Sequence, residues 1–494
     1  MIFNSISYLL FLPIVLIAYY TFPFRIRWLW LLMASIGYYL SFIPIFLILL
    51  AVIVCVNYLM AIWLSMVSDK RSGHLFVAII VMNLIILAFF KYFNVLFPDN
   101  QLHLYNVDLF FRVNPINKMI LPLGLSYIIF TVLSYQIEVK RKNIIPEKHF
   151  GYFSLYLFFF PKIAQGPIER PQQLIPQLHQ THHFNYTMIV EGLKLMLWGY
   201  FKKLVIADRL AIYVNAVYNN SEHHNGNTLI LATIFFAFQI YADFSGYTDI
   251  ALGTAKLFGF NLTNNFRRPY FATSIKDFWD RWHITFSTWL RDYLFLPVAY
   301  FLANKMSKPK YLFVSTDKWI YLIAIMITFS ICGIWHGVGW TYLIWGILFG
   351  IYLTYSNWTG SLHKKLRKRL HIKKVSYYYL IYKTILTFIL VLFAWIFFRA
   401  DNIKDSFNII RKILTFNGTV FLGDTFEVIN SLIFSFFGIG FLLIIELKEE
   451  YFSNTFSFFN NTNWIIRNLS YALLIISIIL FGVFDGGQFI YFQF

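Results

Sequence analysis

Apolar runs long enough to cross a lipid bilayer recur along almost the whole chain, and they restrict its fold more than any other feature. A membrane-crossing helix needs about 20 mainly apolar residues, and only helices and closed barrels satisfy every backbone polar group within lipid. Of the 494 residues, 59% are hydrophobic and 13% are charged, which is far from the balance of a water-soluble domain. The sequence therefore predicts an all-α polytopic integral membrane protein.

The runs predict a single membrane domain over residues 1–494 with about 11 transmembrane helices, plus short re-entrant and interfacial helices. They lie near residues 6–22, 28–66 (two passes divided around Pro44), 75–90, 120–137, 150–160, 188–200, 229–241, 293–302, 319–334, 340–355, 377–398, 429–445 and 469–484. The first run is interpreted as a retained helix, not a signal peptide, because basic residues follow it and none precedes it.

The net charge of +18 raises the possibility of nucleic-acid binding, but the basic residues lie in short segments between the runs. Seven of them cluster in residues 364–374, directly after an apolar run. Positive charge next to membrane spans is typical of cytoplasmic loops. We therefore place this loop in the cytoplasm and expect membrane lipid, and no nucleic acid, as the surroundings of these charges.

Two cysteines, Cys55 and Cys332, both lie in apolar runs and predict neither a disulfide framework nor a metal site. Cys332 is interpreted as a small buried residue, although its offset of four from His336 also permits a thiol–imidazole pair if the helix is continuous. The sequence has no phosphate loop, H-E-x-x-H, G-x-S-x-G or G-x-G-x-x-G motif. An ATP-driven pump and an ordinary serine hydrolase are therefore disfavoured.

His336 is the only side chain that titrates near neutral pH between Trp319 and Trp358, a stretch without Asp, Glu, Lys or Arg. A lone ionisable group in a membrane is a functional candidate, and a hydrogen bond across a helix interface is the alternative. Gly333, Gly337 and Gly339 surround the histidine. Because glycine permits a helix break and a close approach, this position favours a reaction centre over a packing role.

A polar stretch from Gln239 to Asp292 is the second informative region. Its carboxylates, among them Asp243, need partners or water at the end of an apolar run. Tryptophan and charge alternate in residues 277–287, which is typical of an interfacial helix with its rings at the headgroups. Flanking aromatic residues are expected to desolvate His283 and keep its imidazole neutral, so that it serves either as a base or as a satisfied interfacial histidine.

Eight short motifs follow one another in a fixed order along the chain. They are Met1–Ser5, Phe160–Arg170, Gly199–Lys203, Ile206–Arg209, Asp243–Asp249, Trp282–Thr285, Trp335–Gly337 and Trp395–Ala400. With these motifs the chain resembles the membrane-bound O-acyltransferase (MBOAT) superfamily over nearly its full length. The resemblance is to its bacterial AlgI/PatA-like polysaccharide O-acetyltransferase branch and, more distantly, to DltB-like proteins.

The resemblance implies a multi-pass enzyme of the bacterial inner membrane that moves an acetyl group from cytoplasmic acetyl-CoA to an extracytoplasmic polysaccharide such as alginate or peptidoglycan. Acetyl-CoA would be the acyl-donor substrate, with no bound cofactor and no metal. His336 would be the catalytic base and His283 the second active-site histidine. Trp335, Asn265 and Asp243 are further candidates, the first two as donors to a developing oxyanion.

Contacts to the donor are a separate expectation. Lys162, Lys202, Lys203 and Arg209 are candidates for binding its phosphates. The alternative is that these basic residues only follow the positive-inside bias.

The aromatic segment 486–494 carries a further candidate, Tyr491, which follows an apolar run and a Gly-Gly pair. An aromatic belt at the membrane interface accounts for such residues. The segment also resembles an F-I-Y-x-x-F ending of this branch, which implies that Tyr491 relays the acyl group to an extracytoplasmic SGNH-type or AlgJ/AlgX/PatB-like acetyltransferase. Counting three runs from the basic loop places this segment outside the cytoplasm.

Two other classes of function stay open at this point. A polysaccharide flippase or transporter would also be polytopic, and a non-catalytic subunit could merely dock an external acetyltransferase. The acceptor polymer is not determined by the residues.

Overall fold

Helices make up almost all of the regular structure in the computed structural model, which describes residues 1–96, 121–371, 376–452 and 461–484. The α-helices are α1 (Ile6–Thr21), α2 (Phe24–Leu40), α3 (Phe46–Met66), α4 (Asp69–Leu96), α5 (Leu125–Lys140), α6 (Phe150–Phe158), α7 (Pro171–His179), α8 (Tyr186–Tyr200), α9 (Asp208–Tyr218), α10 (Gly226–Leu257), α11 (Ile275–Trp279), α12 (Ile284–Leu290), α13 (Leu296–Lys305), α14 (Thr316–His336), α15 (Trp340–Arg369), α16 (Tyr377–Arg399), α17 (Ile403–Thr415), α18 (Phe426–Tyr451) and α19 (Trp464–Phe481).

The remaining elements are short. Two π-helical segments cover Phe201–Ala207 and Arg291–Phe295, and 3-10 turns cover Ser221–His223 and Pro269–Phe271. Strand β1 (Lys310–Tyr311) pairs antiparallel with β2 (Val314–Ser315), and within the described ranges these are the only strands. The predicted all-α class is confirmed.

Seven helices of the described residues are long and apolar enough to cross a membrane: Phe46–Met66, Lys70–Phe93, Gly226–Leu257, Thr316–His336, Tyr377–Arg399, Phe426–Tyr451 and Trp464–Phe481. The estimate of about 11 spans is not confirmed. Several apolar runs form helices that are too short to span, such as the nine residues of α6 and the 16 of α1. An apolar sequence sets the environment of a helix, whereas its length depends on where the chain turns.

The outer face of α19 demonstrates why this protein needs lipid around it. Leu469, Leu473, Ile476 and Leu480 follow a helical period and are each about half exposed or more. A continuous apolar face of this kind is unfavourable in water and suits the hydrocarbon core of a bilayer. The chain is a multi-pass membrane protein.

Helix boundaries follow the local sequence signals. The run 28–66 forms two helices, because α2 ends at Leu40 and α3 begins at Phe46, as the division around Pro44 predicts. Ser5 and Thr425 cap the starts of α1 and α18 by accepting hydrogen bonds from the backbone N–H groups three residues later.

The described residues divide into two compact units. Residues 1–196 and 247–263 form the first, and residues 197–246 and 264–484 belong to the second. Helices α8 and α10 each contribute residues to both units. The expectation of one membrane domain over residues 1–494 stays a prediction, and its segment 486–494 lies outside the described residues.

The first unit is organised around α5, most of whose residues are buried. Amide side chains join its neighbours α3 and α4, since Asn57 and Asn83 exchange hydrogen bonds of 3.1 and 2.9 Å. Gln136 of α5 donates to the Asn57 carbonyl at 2.8 Å. Such amide bonds hold helices together in lipid, where apolar contact alone gives little preference for one neighbour over another.

The second unit is organised around the antiparallel pair α14 and α15. Glycines let the two backbones approach: a Cβ on Gly346 would lie 2.1 Å from the Phe329 carbonyl oxygen, and one on Gly333 would lie 2.4 Å from that of Tyr342. Close helix contacts through small residues are common in membranes. This pair fixes the position of His336 at the end of α14.

Candidate active site

His336 is the last residue of α14, and the chain leaves the helix directly after it. Gly337 is extended, and α15 begins three residues later at Trp340. A Cβ at Gly337 would lie 2.2 Å from the Tyr342 ring, so any larger residue at this exit would displace that ring. The predicted helix break after His336 is confirmed. Gly333 does not interrupt the helix, because α14 runs through it, so Cys332 and His336 share one helix face and are both buried.

Aromatic rings from three helices enclose the imidazole of His336, which is only 4% exposed. Its ring centroid lies 4.6 Å from that of Trp335 on α14, 4.9 Å from that of Trp345 on α15 and 5.3 Å from that of Phe398 on α16. Trp345 and Phe398 were not singled out from the sequence. Phe398 belongs to the motif Trp395–Ala400, and this motif was the feature of the sequence that could have identified it as a site residue.

His283 lies between α11 and α12 in a left-handed backbone conformation, with φ of 44°. A residue other than glycine rarely adopts this conformation, and such strain is found preferentially at functional sites. The side chain is buried, with Phe244 at 4.7 Å and Phe286 at 5.0 Å between ring centroids. His283 lies outside the seven candidate spans, and burial lowers its pKa to about 3. The imidazole is therefore neutral at physiological pH, as expected from its aromatic neighbours.

Phe286 connects the two histidines. Its ring stacks on His283 at 5.0 Å and contacts the His336 ring edge-on at 6.2 Å. The same phenylalanine lies 4.4 Å from Trp335. Two histidines 53 positions apart in sequence thus line one buried aromatic cluster.

Asn265 is fully buried and holds the chain that follows His283. Its Oδ1 accepts hydrogen bonds from the backbone N–H of Thr285 at 3.1 Å and from the Thr285 hydroxyl at 2.6 Å. Its main-chain carbonyl accepts from the N–H of Ile284 at 2.9 Å. The remaining Asn265 Nδ2 donor is buried and makes no hydrogen bond to any described residue. The hydrogen bonds to Oδ1 fix the orientation of the Asn265 amide, so its Nδ2 group can donate to another acceptor.

The tryptophans around His283 are buried inside the protein. Trp279 and Trp282 are 7% and 2% exposed, and Trp282 packs on Phe278, Phe266 and Trp395. The prediction of one continuous helix over residues 277–287 was wrong, because α11 and α12 are separate short helices, and the two rings face the protein interior. Tryptophan next to charge fits a lipid interface and a buried aromatic cluster equally well, so the pattern could not separate them.

Similarities to known proteins agree with these features. The family model of the membrane-bound O-acyltransferase family, MBOAT, matches residues 70–400. The chain is 32% identical to a probable alginate O-acetylase of Azotobacter vinelandii, over 84% of this chain and 78% of the relative. The chain belongs to the membrane-bound O-acyltransferase family.

Two further relatives indicate its branch. A peptidoglycan O-acetyltransferase of Helicobacter pylori is 29% identical over 79% of this chain and 74% of the relative. A teichoic acid D-alanyltransferase of Bacillus subtilis is 27% identical over 51% and 63%. The chain is an O-acyltransferase, and the matched segment of the family includes both His283 and His336.

Lys203 of this acyltransferase is fully buried between two carboxylates. Its Nζ lies 2.7 Å from Asp243 Oδ1 and 2.9 Å from Asp208 Oδ1. One cation thus faces two carboxylates. Burial raises the pKa of the Asp208 carboxyl, and the like charge of Asp243 adds to the shift. Asp243 has a charged partner, as expected for a carboxylate in an apolar helix. The sequence did not identify Lys203 as that partner.

The other basic candidates have different surroundings. Lys202 is buried and donates to Ser245 Oγ at 2.9 Å. Lys202 and Lys203 both lie in the π-helical segment Phe201–Ala207. Arg209 donates from Nε to the Phe481 carbonyl at 2.7 Å.

Lys162 is buried, and burial lowers its pKa to about 8, an effect that the Glu169 carboxylate partly offsets. Donor binding by these residues stays a prediction.

Cys332 is a buried free thiol, consistent with its interpretation as a small packing residue. Tyr491, the candidate relay, lies outside the described residues.

Proposed function

We propose that this acyltransferase moves an acetyl group from cytoplasmic acetyl-CoA across the membrane for O-acetylation of an extracytoplasmic polysaccharide, together with a separate transferase. The alginate O-acetylase and the peptidoglycan O-acetyltransferase support the acetyl group and the polymer class, since both act on such polymers by name. The buried aromatic cluster around His336 and His283 is the observation that carries the proposal.

In the proposed reaction, His336 takes the proton from an attacking hydroxyl. The hydroxyl oxygen forms a bond to the thioester carbonyl carbon, the carbon–sulfur bond breaks, and the CoA sulfur leaves and is protonated. The aromatic rings around His336 exclude water, which favours transfer to the acceptor over hydrolysis of the thioester. Asn265 Nδ2 and backbone N–H groups beside Gly337 are candidate donors to the oxyanion of the tetrahedral intermediate.

His283 is proposed as a second active-site group. Its neutral imidazole either touches the substrate or acts through Phe286, which separates it from His336. A positioning role would change the KM for the acceptor or the pH profile, whereas a direct role would lower kcat.

The test uses full-length protein in proteoliposomes with radiolabelled acetyl-CoA and measures CoA release and transfer of label. We expect His336→Ala to lower the rate about 100-fold to 10,000-fold, the range that a general base contributes. Cys332→Ala is the matched control, because it removes a buried side chain one turn earlier on the same helix face. Normal acetyl transfer by His336→Ala would overturn the assignment and would favour a subunit that only docks an external enzyme.

A further inference from the structure

A groove outside the active site lies between the end of α15 and the start of α16. Its volume is about 1140 Å³, and the loop Thr273–Ile275 forms part of its wall. None of the residues that line it belongs to the histidine cluster.

The polar end of the groove is basic. His363 and Arg367 lie four positions apart near the end of α15, His371 lies in the turn just beyond the helix, and all three line the groove. Lys383 of α16 faces them from the other side, with its Nζ 5.7 Å from the centroid of the Tyr379 ring. In the part of the chain that the structure describes, neither Arg367 nor Lys383 forms an ion pair. Among the described residues that line it, the groove has cations and no acidic side chain.

The position of Lys383 favours an anionic partner. It lies within the candidate span Tyr377–Arg399 and is only partly exposed. A cation at the edge of the hydrocarbon region is costly unless water, a headgroup or a counter-charge compensates it. Beyond Lys383 the groove is lined by Leu386, Leu390 and Ile351, which are suited to acyl chains and not to a soluble anion.

Only part of the basic run turns toward this groove. Arg367 lines it and is partly buried, whereas Lys364, Lys365, Lys368 and Arg369 are exposed and do not line it. A general positive-inside bias would distribute charge around the helix without regard to the groove. The presence of His363 and Arg367 on one face of α15, with His371 just beyond the helix end, fits recognition of a headgroup.

We propose that the groove between α15 and α16 binds an anionic phospholipid, with its phosphate at Arg367 and Lys383 and its acyl chains along the leucines. The basic end marks the cytoplasmic leaflet as the source of this lipid. The site does not depend on the proposed acetyl transfer.

Native mass spectrometry of the full-length protein, titrated with phosphatidylglycerol and with phosphatidylcholine of the same chains, tests this proposal. We expect phosphatidylglycerol to bind more tightly, and the double variant Arg367→Gln with Lys383→Gln to weaken its first binding step about 30-fold. Lys365→Gln with Lys368→Gln is the matched control, because it removes the same charge from basic residues outside the groove. We expect this control to leave that step unchanged.

Equal weakening by both double variants, or equal affinity for the two lipids, would overturn the proposal. Free coenzyme A is the competing source of phosphate, and displacement of phosphatidylglycerol by coenzyme A would reassign the groove to the acyl donor. Thermal melting checks folding of each variant. If the double variant does not fold, Arg367→Gln alone carries the test, with an expected weakening of about fivefold.

Discussion

At the scale of single residues, this protein places titratable groups where burial controls their charge. His283 combines a strained left-handed backbone with an imidazole enclosed by Phe244 and Phe286. The sequence predicted its neutral state from neighbouring aromatic residues. It could not predict the backbone conformation, which depends on the contacts of Asn265 with Ile284 and Thr285, 19 and 20 positions away in sequence.

The pKa of His283 makes stability depend on pH. Its value of about 3 in the folded protein lies below the ordinary 6.5, so between these limits the unfolded chain binds a proton that the folded protein does not. Stability is then fully present above pH 6.5 and falls as pH decreases, by up to about 1.4 kcal/mol per pH unit. We expect His283→Asn, which tolerates the left-handed backbone, to flatten the dependence of Tm on pH over this window. An unchanged slope would contradict the neutral, buried state.

The ion pairs of Lys203 predict a second residue-scale effect. Lys203→Met would leave Asp208 and Asp243 buried without their cation, and we expect a loss of about 3–5 kcal/mol, measured as a lower Tm in detergent. Replacing both carboxylates by leucine in the same variant should recover most of the loss, because the cost comes from uncompensated charge. Lys276→Gln, which breaks the exposed pair with Asp280, is the control and should change Tm little. A small effect of Lys203→Met would argue against the buried pairs.

At the scale of helices, the pairing of α14 with α15 determines where His336 points. The run of glycines predicted the break after the histidine. The close contact of Gly346 with the Phe329 carbonyl requires the partner helix and is not visible in either helix alone. The aromatic enclosure of His336 follows from this contact, because Trp345 precedes Gly346 directly.

Gly346→Ala should therefore disturb both stability and activity. The added methyl group would lie 2.1 Å from the Phe329 carbonyl oxygen, so α15 must move, at a cost of about 1–3 kcal/mol. Gly360→Ala on the same helix meets nothing within 4 Å and should be neutral or slightly stabilising. Tm and the rate of acetyl transfer measure the two effects. Equal behaviour of the two variants would contradict the close helix contact.

At the scale of the whole molecule, the proposed acetyl transfer to the outside needs a route beyond the His336 cluster. Tyr491 is the proposed relay, and its segment lies outside the described residues. The two interpretations of Tyr491 differ in whether its hydroxyl group is required. A relay needs the phenolic hydroxyl, and an aromatic anchor needs only the ring.

Tyr491→Phe separates the two. We expect the variant still to release CoA when other acceptors take the acetyl group, while transfer to the polysaccharide falls to background. We expect mass spectrometry of the wild-type peptide to detect an acetyl ester on Tyr491. Phe492→Leu is the control for the aromatic anchor and should leave transfer intact. Normal polymer acetylation by Tyr491→Phe would remove the relay and leave Tyr491 as an interfacial residue.

Local composition by itself determined several properties of this protein. Apolar runs imposed a membrane environment and helices, because a lipid core leaves no other way to satisfy the backbone. Glycines at 337 and 339 marked the helix break after His336, and the ordered motifs identified the acyltransferase family. Each of these depends on residues that are neighbours in sequence.

The lengths of the helices, the partners of buried charges and the interior position of the tryptophans were decided by tertiary structure alone. Lys203 and Asp243 are 40 positions apart, and His283 and His336 are 53 apart. A charge or a ring carries the same local signal whether it faces lipid headgroups or the protein interior. Only the packing of helices distant in sequence gives the Lys203 cation its carboxylates and encloses both histidines in one aromatic cluster.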